Sequence, residues 1–182
     1  MGLRKSNPEA YTPILISIGK NPQLGSMEKY KLLYLQRFLK RKNGLDVESC
    51  ITEIDKVKYE ALKCYDDNLD GDIVDNFSEM LLVDGCFVVE FIREDYEKDD
   101  DIIKLERMKN QVSRDMVLLE NQLPFFVLVI LYGMTVHPTE ENFLYMVREN
   151  LYLNQKLKVY QNNSTIYLMW YTCFVAHQLN KT

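Results

Sequence analysis

Residues 114–132 read RDMVLLENQLPFFVLVILY. Most of these side chains are apolar and favour burial, yet Glu120, Asn121 and Gln122 interrupt them. A buried acid or amide is costly unless it finds a hydrogen-bond partner. Two residues later comes Pro124, which cannot continue a helix. The stretch therefore predicts a core helix with a polar break, followed at once by a second, strongly apolar helix.

Apolar residues at helical spacing recur along most of the chain on both sides of this stretch. They predict helices over 27–42, 46–65, 74–93, 99–121 and 125–133, with further helices starting at 139–142 and at Ser164. The helix over 125–133 is apolar on every side, so we expect it to lie at the centre. The fold class predicted is all-α, with six or seven helices.

The N-terminal part of the chain has a different pattern. Proline and glycine recur within residues 1–25, which disfavours a long helix there. Ile14, Ile16 and Ile18 stand at every second position. That spacing predicts an extended segment with all three isoleucines on one face, either a short strand or an extended strip laid on the helices.

Composition limits the class of protein. With 182 residues, 47% hydrophobic and 27% charged, the chain suits one globular domain over 1–182. The net charge of −5 provides no positive field for phosphates, so no nucleic-acid partner is expected. No apolar run reaches the roughly 20 residues of a transmembrane helix, and no signal peptide is recognised. We expect a soluble or peripheral protein, and the compartment stays open.

The cysteines and histidines form no recognisable cluster. The cysteines stand at 50, 64, 86 and 173, without a CxxC pair, and His137 and His177 have no cysteine nearby. Metal sites and disulfide frameworks need ligands at close, regular spacing. Phosphate-binding and dinucleotide-binding glycine motifs are also missing from the sequence. We therefore expect no metal and no cofactor.

An enzyme is one alternative reading. Asp84, Asp115 and Glu120 are acids within predicted core helices, and Cys86 follows Asp84 closely. Perturbed carboxylates and thiols sometimes mark active sites. However, no histidine is near in sequence and no catalytic motif occurs. Core acids more often cap broken helices or pair with an arginine, so we expect no enzymatic activity and no catalytic residue.

Weak calcium binding over residues 66–77 is a second alternative. Asp66, Asn68 and Asp70 match the first three ligand positions of a calcium loop, and Gly71 matches its glycine. The twelfth position should be a bidentate glutamate, but Phe77 stands there. The simpler interpretation is a polar turn between helices, for which Asp, Asn and Gly are the usual residues.

Seven residues stand out as motif-bearing, and we interpret all of them as structural. Glycine weakens a helix interior by about 1 kcal/mol, so a glycine inside the helix over 74–93 predicts a close approach by another helix. The polar residues before the proline would satisfy backbone groups that the proline leaves free. The seven are Asp84, Gly85, Cys86, Glu120, Asn121, Gln122 and Pro124.

Several of these segments, taken in order, resemble a plant family known as domain of unknown function 247. The resemblance covers about residues 3–132 and is faint over 136–182. One departure is the turn after Gly19, where the family usually has histidines and this chain has none. The matching segments are Ala10–Pro13 with Ile16–Gly19, Met27–Leu39, Glu60–Tyr65, Glu79–Glu90 and Arg114–Phe126.

The resemblance indicates a type of biological role, but it implies no biochemical reaction. Family members are commonly longer and end in a hydrophobic membrane-anchoring helix, so membrane association is expected in the longer relatives. This chain then corresponds to an N-terminal portion or a short divergent member, and its domain is incomplete if core faces stay uncovered. Some members are linked to self-incompatibility, which implies recognition between proteins. We expect a non-enzymatic interaction or recognition module with an unidentified protein partner, and self-association through uncovered apolar faces.

Overall fold

The computed structural model describes residues 12–19, 27–65, 76–97, 101–116, 118 and 121–154, with side chains to 149. Within these ranges the chain forms seven helices and no strand, which confirms the predicted all-α fold. Glu120, the candidate calcium loop from 66 to 75 and the helix predicted from Ser164 lie outside the described residues. The helices are α1 Glu28–Lys40, α2 Val47–Asp55, α3 Lys58–Leu62, α4 Phe77–Glu97, α5 Glu106–Met116, α6 Phe125–Thr135 and α7 Phe143–Asn154.

The centre of the fold is α4. It packs against α1, α2, α6 and α7, and most of its residues from Phe77 to Glu94 are buried. We expected α6 to take this place, and that prediction was wrong. One side of α6 is buried through Val127 and Leu131, but the other exposes Val129 and Gly133.

Gly85 lies where α4 crosses α6. A Cβ atom added there would overlap Cδ1 of Leu131 and would also contact Leu123 and Leu128 at 3.8 and 3.9 Å. A methyl group at this position would have to displace the buried Leu131 side chain, so glycine is favoured where the two helices approach. Aromatic packing supports the other side of α4, where the rings of Tyr34 and Phe87 meet edge to face at 5.0 Å.

Helix boundaries differ from the prediction in two places. The helix expected over 46–65 is divided into α2 and α3 by a turn at Lys56 and Val57. The helix expected over 99–121 is shorter, because α5 occupies only Glu106–Met116. Before α5, the backbone N–H of Ile102 donates to Oε2 of Glu94 at 3.0 Å instead of entering a helix.

Pro124 stands directly before α6, at φ −56° and ψ 126°. A proline at the start of a helix costs no hydrogen bond, because the first N–H groups of a helix have no partner within it. Among the described residues, no helix is both long enough and apolar enough to cross a bilayer.

Residues 12–19 form no helix, as expected, but they do not alternate as the isoleucines suggested. Ile16 and Ile18 are fully buried, whereas Ile14 is 53% exposed. The chain bends at Ile14 and Leu15. Consecutive N–H groups there turn towards a single carboxylate, and this curvature breaks the every-second-residue pattern.

Candidate functional site: a groove that holds residues 12–19

Asp115, near the end of α5, receives three consecutive backbone N–H groups. Its Oδ2 atom accepts from Ile14 at 3.0 Å, Leu15 at 2.6 Å and Ile16 at 3.0 Å. Its Oδ1 atom accepts from Nε2 of Gln111 at 2.9 Å, and the side chain is almost wholly buried. A run of N–H groups that converge on one point is a well-adapted anion site. Here the anion belongs to the protein itself.

Asn121 uses both ends of its amide on the same segment. Its Oδ1 atom accepts from the N–H of Ile18 at 2.6 Å, and its Nδ2 atom donates to the carbonyl of Ile16 at 3.0 Å. Nδ2 also donates to the carbonyl of Asp115 at 2.8 Å. The amide thus pairs with residues 16–18 as a neighbouring strand would, and it ties them to the last turn of α5.

Asp84, in the first half of α4, receives the end of the segment. Its Oδ2 atom accepts from the N–H of Gly19 at 2.6 Å, and its Oδ1 atom pairs with Nζ of Lys31 at 2.6 Å. Lys31, on α1, also pairs with Glu28 at 2.9 Å. Asp84 and Lys31 are both buried, so their charges are compensated by each other within the protein.

The surroundings shift the pKa values of this pair. Burial raises the pKa of Asp84 above its ordinary value, against the opposite effects of Lys31 and of the Gly19 N–H. Burial lowers the pKa of Lys31, but Asp84 and Glu28 raise it by more, so the net shift is upward. The lysine therefore keeps its proton firmly in the folded protein.

Gly19 closes the segment with a left-handed backbone, at φ +73°. A side chain at this position would face the hydroxyl of Tyr65 at 3.5 Å and the carbonyl of Gln122 at 3.7 Å. The Tyr65 hydroxyl donates to that carbonyl at 3.4 Å. Glycine is favoured here because it adopts positive φ without strain. We call the surface formed by Lys31, Asp84, Asp115 and Asn121 the groove.

The structure places the predicted motif residues at different points. Asp84 and Asn121 reach the groove, while Gly85 lies at the α4–α6 crossing. We expected Asn121 and Gln122 to satisfy backbone groups near the break at Pro124. The Asn121 amide bonds Ile16, Ile18 and the Asp115 carbonyl. Among the described residues Nε2 of Gln122 is buried without a hydrogen-bond partner.

Two groove residues were missing from the predicted site. The sequence predicts Asp115 to be a core acid that caps a broken helix or pairs with an arginine, and it does not single out Lys31. Lys31 shares helical spacing with Met27, Tyr34 and Phe38, which are all buried. A lysine on an otherwise apolar helical face needs a buried acid as partner, and that pattern was readable in the sequence.

Cys86 lies on α4 but does not reach the groove residues by any hydrogen bond that the structure shows. Burial raises the pKa of its thiol well above the ordinary value, and the neighbouring Cys50 and Glu90 add to the effect. A reactive cysteine needs a lowered pKa and access to solvent. This thiol stays protonated and buried, which is unfavourable for the nucleophile of the enzyme alternative.

A second set of buried charges lies in the other half of α4. We call Glu90, Arg93 and Glu94, with their partners, the ionic cluster. Nε of Arg41 binds Glu90 at 2.7 Å, and Nη1 of Arg93 binds the same carboxylate at 2.8 Å. Arg93 also pairs with Glu140 at 2.7 Å, and its guanidinium lies over the ring of Tyr132 at 4.4 Å.

Glu94 completes the ionic cluster. It pairs with Arg37 on α1 at 2.7 Å and with Lys109 on α5 at 3.2 Å. It also accepts from the Tyr34 hydroxyl at 3.1 Å. The cluster thus joins α1, α4 and α5 through side chains of opposite charge. Within the described parts of the chain, no group of His, Cys, Asp and Glu side chains could hold a metal ion.

Comparison with known proteins identifies a family for this chain. Residues 1–170 match the model of the domain of unknown function 247, described as "Plant protein of unknown function". The chain belongs to this family. The matched residues of this chain include both the groove and the ionic cluster. Its description names no biochemical activity.

Two relatives come from Arabidopsis thaliana. The "Putative UPF0481 protein At3g02645" is 28% identical over 128 residues, which are 68% of this chain and 24% of the relative. The "UPF0481 protein At3g47200" is 30% identical over 136 residues, which are 69% of this chain and 28% of the relative. The chain therefore spans about a quarter of the length of these relatives. No solved structure matches it.

Proposed function

We propose that this domain of unknown function 247 protein is a protein-interaction module without catalytic activity. The observation that carries the proposal is the outer side of α6. Its residues Phe125–Thr135 include no charged side chain. A helix at the surface of a protein normally places polar residues on its outer side. An outer side made of apolar residues favours contact with another protein.

The exposed residues of α6 stand on one side of the helix. Val129, Gly133 and the following Val136 are spaced by four and three residues, which places them above one another. Val129 is 37% exposed and Val136 is 41% exposed. Apart from its chain neighbours and the backbone of α6, no described atom lies within 4 Å of a Cβ added at Gly133. We call these three residues the outer stripe of α6.

The acids of the groove support a non-catalytic role. Both oxygens of Asp115 accept hydrogen bonds from the protein itself. Both oxygens of Asp84 are likewise engaged, by Gly19 and by Lys31. A general base needs a free lone pair within reach of a substrate. These carboxylates instead stabilise the fold, which is what a binding scaffold requires.

The proposal is tested with two matched arginine variants. Val129→Arg places a charge on the outer stripe, and Leu32→Arg places one at a 51% exposed position on α1. We expect Val129→Arg to abolish capture of a protein partner from native plant extract, while Leu32→Arg leaves it intact. Thermal melts should show both variants folded, because neither side chain is buried.

Equal capture by the two variants would show that the outer stripe is not the binding surface. Capture of no protein by the unmodified chain, in extract and in a crosslinked sample, would count against the interaction role altogether. Size-exclusion chromatography of the same variants separates a foreign partner from self-association. A dimer that is lost only in Val129→Arg would identify the outer stripe as a contact between copies.

A further inference from the structure

The loop between α1 and α2 contains Asn43 followed by Gly44. No other asparagine of the sequence precedes a glycine. We propose that Asn43 is a modification site, where the side-chain amide is lost in a spontaneous reaction and aspartate or isoaspartate forms. This inference goes beyond the proposed function and does not depend on it.

The reaction needs only water as a co-reactant. The main-chain nitrogen of Gly44 attacks Cγ of Asn43, so that a new N–Cγ bond forms. The Cγ–Nδ2 bond breaks, and the proton of the attacking N–H group leaves with the departing ammonia. Water then opens the resulting cyclic imide. Cleavage of the new N–Cγ bond gives aspartate, and cleavage of the original peptide bond gives isoaspartate.

The structure leaves the attacking nitrogen and its target accessible. Asn43 and Gly44 are both exposed, so water reaches the reacting atoms. Apart from its two chain neighbours, no described atom lies within 4 Å of a Cβ added at Gly44. Glycine itself has no side chain that would crowd the attack. The approach of the nitrogen to Cγ is therefore open on the protein's side as well as in the sequence.

The local turn also favours the reaction. The N–H group of Leu45 donates to the carbonyl of Lys42 at 3.2 Å, which places Asn43 and Gly44 at the two central positions of the turn. This hydrogen bond does not use the Gly44 N–H group, which has to attack. Gly44 has φ +79°, a left-handed conformation that favours glycine at this position.

The sequence Asp84–Gly85 shows how the fold blocks the same chemistry elsewhere. An aspartate before a glycine can form the same imide, with loss of water instead of ammonia. However, Asp84 and Gly85 are buried within α4, and both carboxylate oxygens of Asp84 are engaged, by Gly19 and by Lys31. The N–H group of a residue inside a helix donates to the carbonyl four residues earlier and is not free to attack. Exposure in a turn therefore distinguishes Asn43 from this buried site.

The products would change the connection between α1 and α2. Both carry a new negative charge close to the C-terminal end of α1, where the helix dipole disfavours an anion. Isoaspartate also adds one carbon atom to the backbone ahead of Leu45, which packs partly against the core. The next residue, Asp46, caps α2 by accepting from the N–H of Ser49 at 2.8 Å. We expect the longer backbone to disturb this cap.

The test follows the full chain during incubation at 37 °C in mildly alkaline buffer, because the attacking nitrogen must lose its proton. Intact mass spectrometry should show a gain of about 1 Da, as an NH2 group is replaced by OH. Peptide mapping should place this gain at residue 43. A synthetic peptide of residues 38–48 gives the rate without the fold. We expect the rate in the folded chain to lie within about tenfold of the rate in the peptide, a barrier difference below about 1.4 kcal/mol.

Two controls make the result specific. Asn43→Gln should lose the mass gain at this position, because ring closure from a longer side chain is less favourable. Asn142 is an internal control, since it is exposed but precedes Phe143, and its Oδ1 atom accepts from the N–H of Leu144 at 2.9 Å. It should stay unreacted while Asn43 is converted. Labelling with an isoaspartyl methyltransferase, mapped to residue 43, identifies the isoaspartyl product.

The effect on the fold is measured on chain that has gained the charge, after its separation by ion exchange. Its Tm should lie about 2–4 °C below that of Asn43→Asp, which has the charge without the longer backbone. Equal Tm values would overturn the effect on the cap of α2. A mass gain that maps elsewhere, a gain unchanged in Asn43→Gln, or a folded rate more than about tenfold below that of the peptide would overturn the modification site.

Discussion

The two halves of α4 bury acids in different ways. In the first half, Asp84 belongs to the groove, where carboxylates bind main-chain N–H groups of residues 12–19. In the second half, Glu90 and Glu94 belong to the ionic cluster, where carboxylates bind arginine and lysine side chains. Both solutions compensate buried charge. They differ in whether the partner group can be changed by mutation.

Because of this difference, the two regions should respond differently to mutation. A side-chain ion pair can be replaced as a pair, and apolar residues of similar volume often stabilise a protein as well as the pair did. A backbone N–H group is present in every residue except proline. The main-chain bonds of residues 14–19 to the groove therefore do not depend on the side chains at these positions, but they are lost when the acids of the groove change. The ionic cluster should tolerate paired changes in both partners.

The largest effect is expected in the ionic cluster. Arg93→Met should lower the free energy of unfolding by about 3–5 kcal/mol, because it leaves buried carboxylates without their partner. The double variant Arg93→Met/Glu140→Met should recover part of the loss, since one of the abandoned acids is removed too. Urea unfolding of the single and double variants measures both effects.

Arg148→Met is the matched control for this prediction. Arg148 pairs with Glu149 at 3.4 Å in a half-exposed position. Exposed pairs contribute little, so a change within about 0.5 kcal/mol is expected. If Arg93→Met is as mild as this control, the ionic cluster does not hold α4 in the way described.

The next effect is expected in the groove. Asp115→Ala leaves three N–H groups without their acceptor, and each unsatisfied buried group costs about 1–3 kcal/mol. Water should reach the exposed end at Ile14, so we expect a total loss of about 3 kcal/mol in urea unfolding. Gln111→Ala, which removes only one donor to the same carboxylate, should cost about 1 kcal/mol. Equal losses in the two variants would contradict the role assigned to Asp115.

Smaller changes in stability, opposite in sign, are expected when two glycines of α4 and α6 are replaced by alanine. Gly85→Ala forces a methyl group into the α4–α6 crossing and should destabilise by about 1–3 kcal/mol. Gly133→Ala adds the same methyl group to the open side of α6 and should stabilise by about 0.5–1 kcal/mol. Thermal melts of both variants give the comparison. A stabilising Gly85→Ala would mean that the helices separate at little cost.

The smallest effect is expected from alkaline pH, and it involves both halves of α4. The pKa of Lys31 in the groove is raised, since Asp84 and Glu28 outweigh burial. The pKa of Tyr34 in the ionic cluster is also raised, by burial and by Glu94. Both groups hold their protons more tightly in the folded state. The stability they contribute is therefore present below the unfolded pKa values of about 10 and is lost as the pH rises through the folded values.

The measurement is the urea midpoint between pH 8.5 and 11. We expect it to fall over this range in the unmodified chain. Tyr34→Phe removes one titrating group, so its midpoint should fall less steeply even if its stability at pH 8.5 is lower. Identical slopes in the two proteins would show that Tyr34 does not hold its proton as described.

Much of the fold follows from local sequence pattern. The spacing of apolar residues predicted α1, α4, α6 and the start of α7, because the period of a helix is a local property. The errors occur where distant groups compete with the helix. The helix predicted over 99–121 occupies only Glu106–Met116 among the described residues, and the Asn121 amide bonds residues 16 and 18. Local periodicity carries no information about such a partner.

The sequence by itself determined the helical class and the presence of buried polar residues in the segments that resemble the family. Their partners were decided only by the tertiary structure. Asp84 and Asp115 both hold residues 12–19, although Asp84 lies in α4 and Asp115 in α5. The physical reason is that a buried carboxylate requires hydrogen-bond donors, but its position in the sequence does not determine which groups donate. Backbone N–H groups can meet that need from any part of the chain, so only folding selects which segment does so.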